Sequence, residues 1–438
     1  MKDKAMSREY EVVVCGGGPG GVAAAIAAAR LGARTCLIER YGHLGGLATG
    51  GLVILIPHLS GGTQLQEVKG ICWEVIEYLD KMGGALHPLQ EELGKDDVET
   101  VNKWEHYFSV VVEGRVRMSV YTDPEALKYV LQELLKESGV DLILHSLIVD
   151  VLTEGDRISA VITYSKSGRQ VIKGEIFVDA TGDGDVMAAA GEDFVTEWDP
   201  SNRSSTVALV FRLGNVDTEE FFKYKRSNFN TYAQLMEELR QKVGFRALPM
   251  PSWRKDVVWV NNWMAGIDPL DVMDLTRAET EIRKASVVIY EFLKANVPGF
   301  QRSFILDTAP QLGIRGSRRL IGRYVLTKED IYKGEKFPDT VAVFPPIEHN
   351  VSEQYPYVYF PLRALLPRKT RNLIVAGRCF SSDGWFNDLY NLITHCFCMG
   401  QAAGTAAALA VDRKQDLQEV DIGALRASLL NQGVFLGE

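Results

Sequence analysis

Glu11-Val12-Val13-Val14-Cys15-Gly16-Gly17-Gly18-Pro19-Gly20-Gly21 is the stretch on which the fold turns. Its first five residues are an apolar, β-branched run, which reads as a buried parallel strand. Val22 to Leu31 is Ala-rich and strongly helix-forming, and Gly32 is placed to end that helix. A second apolar strand, Thr35-Cys36-Leu37-Ile38, runs into an acid, Glu39. Strand, glycine turn, helix and strand in this order form a βαβ unit.

The spacing has a chemical meaning. Gly16 permits the tight turn out of the strand, Gly18 lets a pyrophosphate approach bare backbone, and Gly21 lets the helix pack close to the sheet. The helix N-terminus, opened by Pro19 and Gly20, offers free N–H groups and positive partial charge to phosphate. Glu39 lies 18 residues beyond Gly21, where a carboxylate accepts hydrogen bonds from ribose hydroxyls and repels a 2′-phosphate. Arg40 follows it as a further candidate contact.

Three features favour FAD over NAD at this motif: its place at the start of the chain, a second glycine loop after the acid, and the way the chain closes. That loop, Gly42 to Gly51, contributes Gly45, Gly46, Ala48 and Thr49. FAD is longer than its ADP half, so it needs close backbone approach elsewhere, which glycine allows. Ala180-Thr181-Gly182, Gly377-Arg378 and Val149 are read as such contacts. Asn391-Leu392-Ile393 open a second Ala/Gly-rich helix, Leu392 to Val411, whose dipole suits the negative charge that develops on a reduced flavin.

The 438 residues are enough for two to four domains. Both ends carry nucleotide-type signals, so residues 1–195 (with an insertion near 60–112) and 366–438 are read as one FAD-binding domain. Residues 196–365 are read as an inserted α+β substrate domain, where Trp198, Trp253, Trp259 and Trp263 gather. The fold class is α/β: a Rossmann-like FAD domain on the glutathione-reductase-type two-dinucleotide-fold plan. Leu142–Leu152, Ile158–Tyr164 and Val171–Asp179 are expected to form a β-meander. The net charge of −9 argues against a nucleic-acid partner. There is no signal-like start and no 18-residue apolar run, so a cytoplasmic protein away from membranes is expected. The six cysteines read as reduced thiols, and the seven histidines show no metal-ligand spacing.

Beyond the first motif, GHLGGLATGGLV (42–53), FVDATGDGDVMAAAG (177–191), LGIRGSRRLIGRYVLTKEDI (312–331), YFPLRALLP (359–367), NLIVAGRCFSSD and GQAAGTAAALAV complete a pattern. The chain resembles the FAD-dependent oxidoreductase family related to the succinate dehydrogenase/fumarate reductase flavoproteins, over nearly its whole length. The resemblance implies tightly bound FAD and hydride or electron chemistry at its N5. It departs at Asn391, where relatives carry Arg, at His395, which replaces a small residue, and at Gly316, where an acid is common. The HTxxxGG segment is absent, so non-covalent FAD is expected.

Candidate catalytic residues are Arg315, as a carboxylate clamp, Tyr359 and His349 as acid or base, Asp383 in a loop over the flavin, and His395 one helical turn beyond Asn391. A small organic substrate is the expected partner, with an electron donor or acceptor protein also conceivable. The alternatives are a flavin monooxygenase or halogenase-like enzyme and an electron-transfer subunit.

Overall fold

The computed structural model describes residues 8–347 and 357–437. Five parallel strands lie side by side in the order Asp141–Ile143, Thr35–Ile38, Arg8–Cys15, Gly168–Asp179 and Leu373–Val375. Gly168–Asp179 serves two purposes. Its first half pairs antiparallel with Arg157–Ser165, which pairs in turn with Leu147–Glu154, giving the meander. Its last four residues are buried, as befits a strand covered on both faces.

The segment Leu142–Leu152, expected as one strand, is two. His145 takes a φ of 55°, and the N–H groups of His145 and Ser146 donate to the carbonyls of Tyr41 (3.2 Å) and Glu39 (3.0 Å). The break therefore lies against the loop that carries Glu39. Helices run over Pro19–Arg30 and Ile393–Asp412, close to the bounds expected for them, and over Pro124–Glu137, Val272–Asn296 and other segments.

The helices Pro19–Arg30 and Ile393–Asp412 cross at backbone distance. A Cβ on Gly400 would lie 2.0 Å from the Gly20 carbonyl oxygen, and one on Gly404 would lie 2.0 Å from that of Ala24. Small residues in GQAAG are thus what lets Ile393–Asp412 lie on Pro19–Arg30.

A second sheet has the antiparallel order Arg246–Pro251, Val257–Trp263, Phe211–Gly214, Phe304–Thr308. The helix Val272–Asn296 belongs to this layer, started by Asp271, whose side chain accepts from the N–H of Met273 and Asp274. This layer has its own core, built from residues such as Phe211, Phe221, Ile282 and Ile289. The described residues between Leu326 and Leu365, grouped by the sequence reading with the substrate domain, bury Phe337, Phe344 and Phe360 in the core of the parallel sheet instead. Among the described residues no single helix is long and apolar enough to cross a membrane. The six cysteines are free thiols.

Candidate active site

A cavity of about 480 Å³ runs between the two sheets. At its nucleotide end stand Gly16, Gly18, Pro19 and Gly20. Gly18 caps the first helix with no side-chain hydrogen bond, so the helix N–H groups remain open to a ligand. A Cβ on Gly18 would meet nothing within 4 Å, nor would one on Gly377, which takes a φ of 113°. Both open onto the cavity. Gly21 does the packing: its Cβ would fall 1.8 Å from the Gly16 carbonyl oxygen.

Glu39 lines the cavity and is fixed from behind. One carboxylate oxygen accepts from the Gly17 N–H (2.6 Å) and the other from the Tyr41 N–H (2.8 Å). Each keeps lone pairs for sugar hydroxyls. Arg40 and Arg378 also line this region, and Asp183 holds both: its carboxylate is 2.6 Å from Arg378 and 3.8 Å from Arg40, and it accepts from the Ser317 hydroxyl at 2.7 Å. Burial works to raise the Asp183 carboxyl; Arg378, Arg40 and Ser317 outweigh it and leave it below the usual carboxylate range.

The second glycine loop leans on the first. The Gly45 N–H donates to the Gly17 carbonyl at 2.8 Å, and Gly46 reaches the cavity. Thr49 is fully buried, with its hydroxyl on the Leu44 carbonyl, and Ala48 is buried beside it. Gly45, Ala48 and Thr49 therefore shape the loop rather than line the cavity. Ala180, Thr181 and Gly182 line it from the end of the meander strand.

At the far end, Asn391, Leu392 and Ile393 line the cavity where the 20-residue C-terminal helix begins. Its N-cap, Leu392, supplies no side-chain bond, so unpaired N–H groups and the positive end of the dipole face the site. The Asn391 side chain is already engaged: it donates to Ser204 Oγ (3.0 Å) and the Arg315 carbonyl (3.3 Å), and accepts from Arg203. Its contact with a cofactor is left to the backbone.

The opposite wall is the second sheet. Arg246, Leu248 and Met250 alternate with Trp259, Asn261 and Trp263 in register, and all six line the cavity. Arg315 joins them, its Nη2 donating to Asn261 Oδ1 (2.9 Å) and the Asn262 carbonyl (2.8 Å). Burial first, and Arg203 second, press the Arg315 guanidinium down to about 9. His58 lines the same space with a φ of 60°, its ring nitrogens 3.2 and 3.3 Å from Ser109 Oγ. Burial, then Arg117, hold it at about 4, so it is neutral at pH 7.

Several expected residues stand elsewhere. His395 is fully buried with its ring edge-on to Phe344 at 4.5 Å, and does not line the cavity; burial pushes it well below the usual imidazole value. Asp383 caps the helix Gly384–Tyr390: one oxygen accepts from the Phe386 N–H (2.6 Å), the other from the Lys328 N–H (2.8 Å). Both oxygens are taken by backbone away from the cavity. Tyr359 packs in the dinucleotide core, under the Lys336 ammonium at 5.3 Å. Val149 is half exposed on the meander and also off the cavity. His349 lies outside the described residues. Conversely, His58, Arg203, Arg246 and the alternating wall escaped the sequence reading, although Arg246-x-Leu248-x-Met250 and Trp259-x-Asn261-x-Trp263 carry a period of two.

The model for FAD dependent oxidoreductases matches residues 11–429. The chain belongs to the FAD-dependent oxidoreductase family. FAD is accordingly its cofactor, and the uncapped helix ends, the open faces of Gly18 and Gly377, and the tethered Glu39 fit that molecule. A stretch of 37 residues is 62% identical to a dihydrolipoyl dehydrogenase of Trypanosoma brucei brucei, which is 8% of this chain and 8% of that protein. The match thus spans no more than about a tenth of its curated relatives' length. A geranylgeranyl bacteriochlorophyll reductase-like protein from Thermoplasma acidophilum shares the fold at a TM-score of 0.52 and 14% identity, covering 98% of this chain and 85% of its own. A flavin-dependent brominase does so at 0.50 and 13%, covering 96% and 83%.

Proposed function

We propose that this protein is a dehydrogenase or reductase that passes hydride between a non-covalently held FAD and a small organic substrate lying on the Trp259–Trp263 wall. One observation carries the reading: nucleotide motif, helix N-terminus and aromatic sheet share a single cavity. When bound, FAD supplies the two-electron chemistry at N5. The protein's own groups do the remainder. The apolar wall of Leu248, Met250 and Trp259 excludes water and sets the substrate's plane. Arg315, fixed by Asn261 and Asn262, orients it. The unpaired N–H groups at Ile393 stabilise negative charge beside the cavity.

His58 is the proton carrier in this reading. Its imidazole is neutral, it lines the cavity, and Ser109 Oγ, itself 3.2 Å from Ser119 Oγ, stands beside its ring. We also read the dinucleotide unit as the glutathione-reductase-type plan with kinship to the succinate dehydrogenase/fumarate reductase flavoproteins. The five-stranded parallel sheet, the meander and the returning C-terminal helix support this. A cytoplasmic setting, supported by six free thiols, and a separate protein as electron partner belong to the same reading.

The test is anaerobic mixing of the yellow protein with a panel of metabolites, followed by loss of flavin absorbance, and the converse reoxidation after chemical reduction. Bleaching or reoxidation by one compound class, abolished in Arg315→Ala, is the expected result. Oxygen-dependent hydroxylation or halogenation instead would replace this reading with the monooxygenase one.

A further inference from the structure

The cavity wall is graded along its length. Arg246 pairs across the sheet with Trp263, Leu248 with Asn261, and Met250 with Trp259. At the first rung two guanidiniums lie over the Trp263 ring, Arg246 at 5.2 Å and Arg315 at 4.9 Å from its centroid. No carboxylate forms a salt bridge with either arginine among the described residues. Arg246 is exposed at the mouth, whereas at the last rung Met250 is 6% and Trp259 1% exposed. Four residues of strand separate the ends, about 14 Å at the usual rise.

A buried group on this wall also lacks a partner: Arg315 Nε donates to nothing among the described residues. Buried donors are normally satisfied, and a bound ligand is one way to satisfy them. A guanidinium fork with an open edge suits a planar, two-oxygen anion.

We infer that the substrate is an organic acid with an apolar body, its carboxylate held at the mouth by Arg246 and Arg315 around Trp263, and its body lying inward over Met250 and Trp259. This rests on the reading of the cavity as the substrate site and names the chemistry it selects. The exposed cation, Arg246, stands at the wet end and the apolar surface at the dry end, with Arg315, its Nε buried, next to Trp263 behind it, so an acid enters body first and keeps its carboxylate beside Arg246, where water still reaches. A neutral analogue of the same shape leaves Arg246 without a counter-ion.

The experiment compares 3-phenylpropanoate, 3-phenylpropanamide and acetate on the purified holoprotein, by calorimetry and by the change in the visible flavin spectrum. The expected order is the phenyl acid at least tenfold tighter than its amide and than acetate, with affinity falling as salt is added. Arg246→Met should remove the preference for acid over amide while the flavin-to-protein absorbance ratio stays at the parent value. Equal affinities for acid and amide, no binding of the phenyl acid at millimolar concentration, or an unchanged preference in Arg246→Met would each overturn the inference. A colourless protein that still prefers the acid by calorimetry would instead count against the redox reading and leave the acid site standing.

Discussion

Replacing Gly18 by alanine separates the fold from its cofactor. Gly18 has φ −70° and ψ −180°, an extended conformation open to any residue, and its added Cβ would meet no atom within 4 Å. Losing glycine's freedom in the unfolded chain favours the folded apoprotein by about 0.4–1 kcal/mol. Gly18 is also a helix N-cap, where glycine outranks alanine by several tenths of a kcal/mol or more. The two terms oppose each other, so apoprotein stability should move by less than about 1 kcal/mol. FAD binding should not be spared, because the methyl stands where the pyrophosphate meets backbone. A tenfold weakening, about 1.4 kcal/mol, is the least expected. Gly21→Ala is the contrast: its Cβ would fall 1.8 Å from the Gly16 carbonyl oxygen. It should destabilise even the apoprotein, by about 1–3 kcal/mol. Deflavinated samples are unfolded in urea, and FAD is titrated back by quenching of its fluorescence. Using apoprotein for the first measurement removes the stabilisation that bound ligand adds by mass action. If Gly18→Ala binds FAD as the parent does, or if its apoprotein is as unstable as Gly21→Ala, the assignment of the pyrophosphate to this turn is wrong.

Other substitutions probe separate parts of the argument. Gly404→Ala pushes a Cβ to 2.0 Å from the Ala24 carbonyl oxygen, so the two crossing helices must part; the urea midpoint should drop by the equivalent of about 1–3 kcal/mol. Asp183→Asn leaves Arg378 and Arg40 without their counter-charge, at a cost of about 3 kcal/mol. Because the Asp183 carboxyl titrates below its unfolded value, that cost should be constant above about pH 5 and shrink as acid protonates the parent, which paired urea curves at several pH values would show. Glu67 behaves oppositely: burial raises it to about 7, so the folded state loses stability as pH rises from the unfolded carboxylate value through about 7. Glu67→Gln should match the parent at low pH and exceed it increasingly towards pH 8 in the same assay. His58→Ala should retain FAD yet reduce turnover about 10²–10⁴-fold, whereas loss of flavin without a turnover defect per bound FAD would remove His58 from the mechanism.

The parts of the site that could be read from sequence are those where the backbone itself is the functional group. Gly16, Gly18 and Gly21 state their geometry through missing side chains, and Glu39 is in range because one strand and one helix fix the distance. Side-chain roles were less legible because they depend on what arrives from elsewhere in the chain. Asp383 resembled a catalytic acid until the Lys328 N–H, 55 residues away, took one of its oxygens. His395 shares a helix with cavity residues, yet the helical turn directs it to Phe344. Val149 was placed on a strand assumed continuous, and the break at His145 moves that strand away from the nucleotide. His58 sits in an irregular stretch with a positive φ, where no periodicity announces a direction.

The two layers of the cavity are not independent supports that happen to face each other. Arg203 and Ser204 donate their backbone N–H groups to the Asp388 carboxylate at 3.2 and 2.6 Å, and Arg203 Nη2 reaches the Asp388 carbonyl at 2.6 Å. Asn391 then bonds Ser204 Oγ on one side and the Arg315 carbonyl on the other. Ser204 leads into the second sheet, Arg315 orients on it, and Asn391 begins the helix whose N-terminus lines the cavity. One hydrogen-bonded network therefore fixes the second sheet relative to the charged helix end. Buried polar networks of this kind hold their geometry because each unmet bond is costly. Hydride transfer needs its two partners at contact distance and in fixed orientation. An arginine at position 391 would bring a third cation beside Arg203 and Arg315, whereas the amide of Asn391 donates and accepts within the same network.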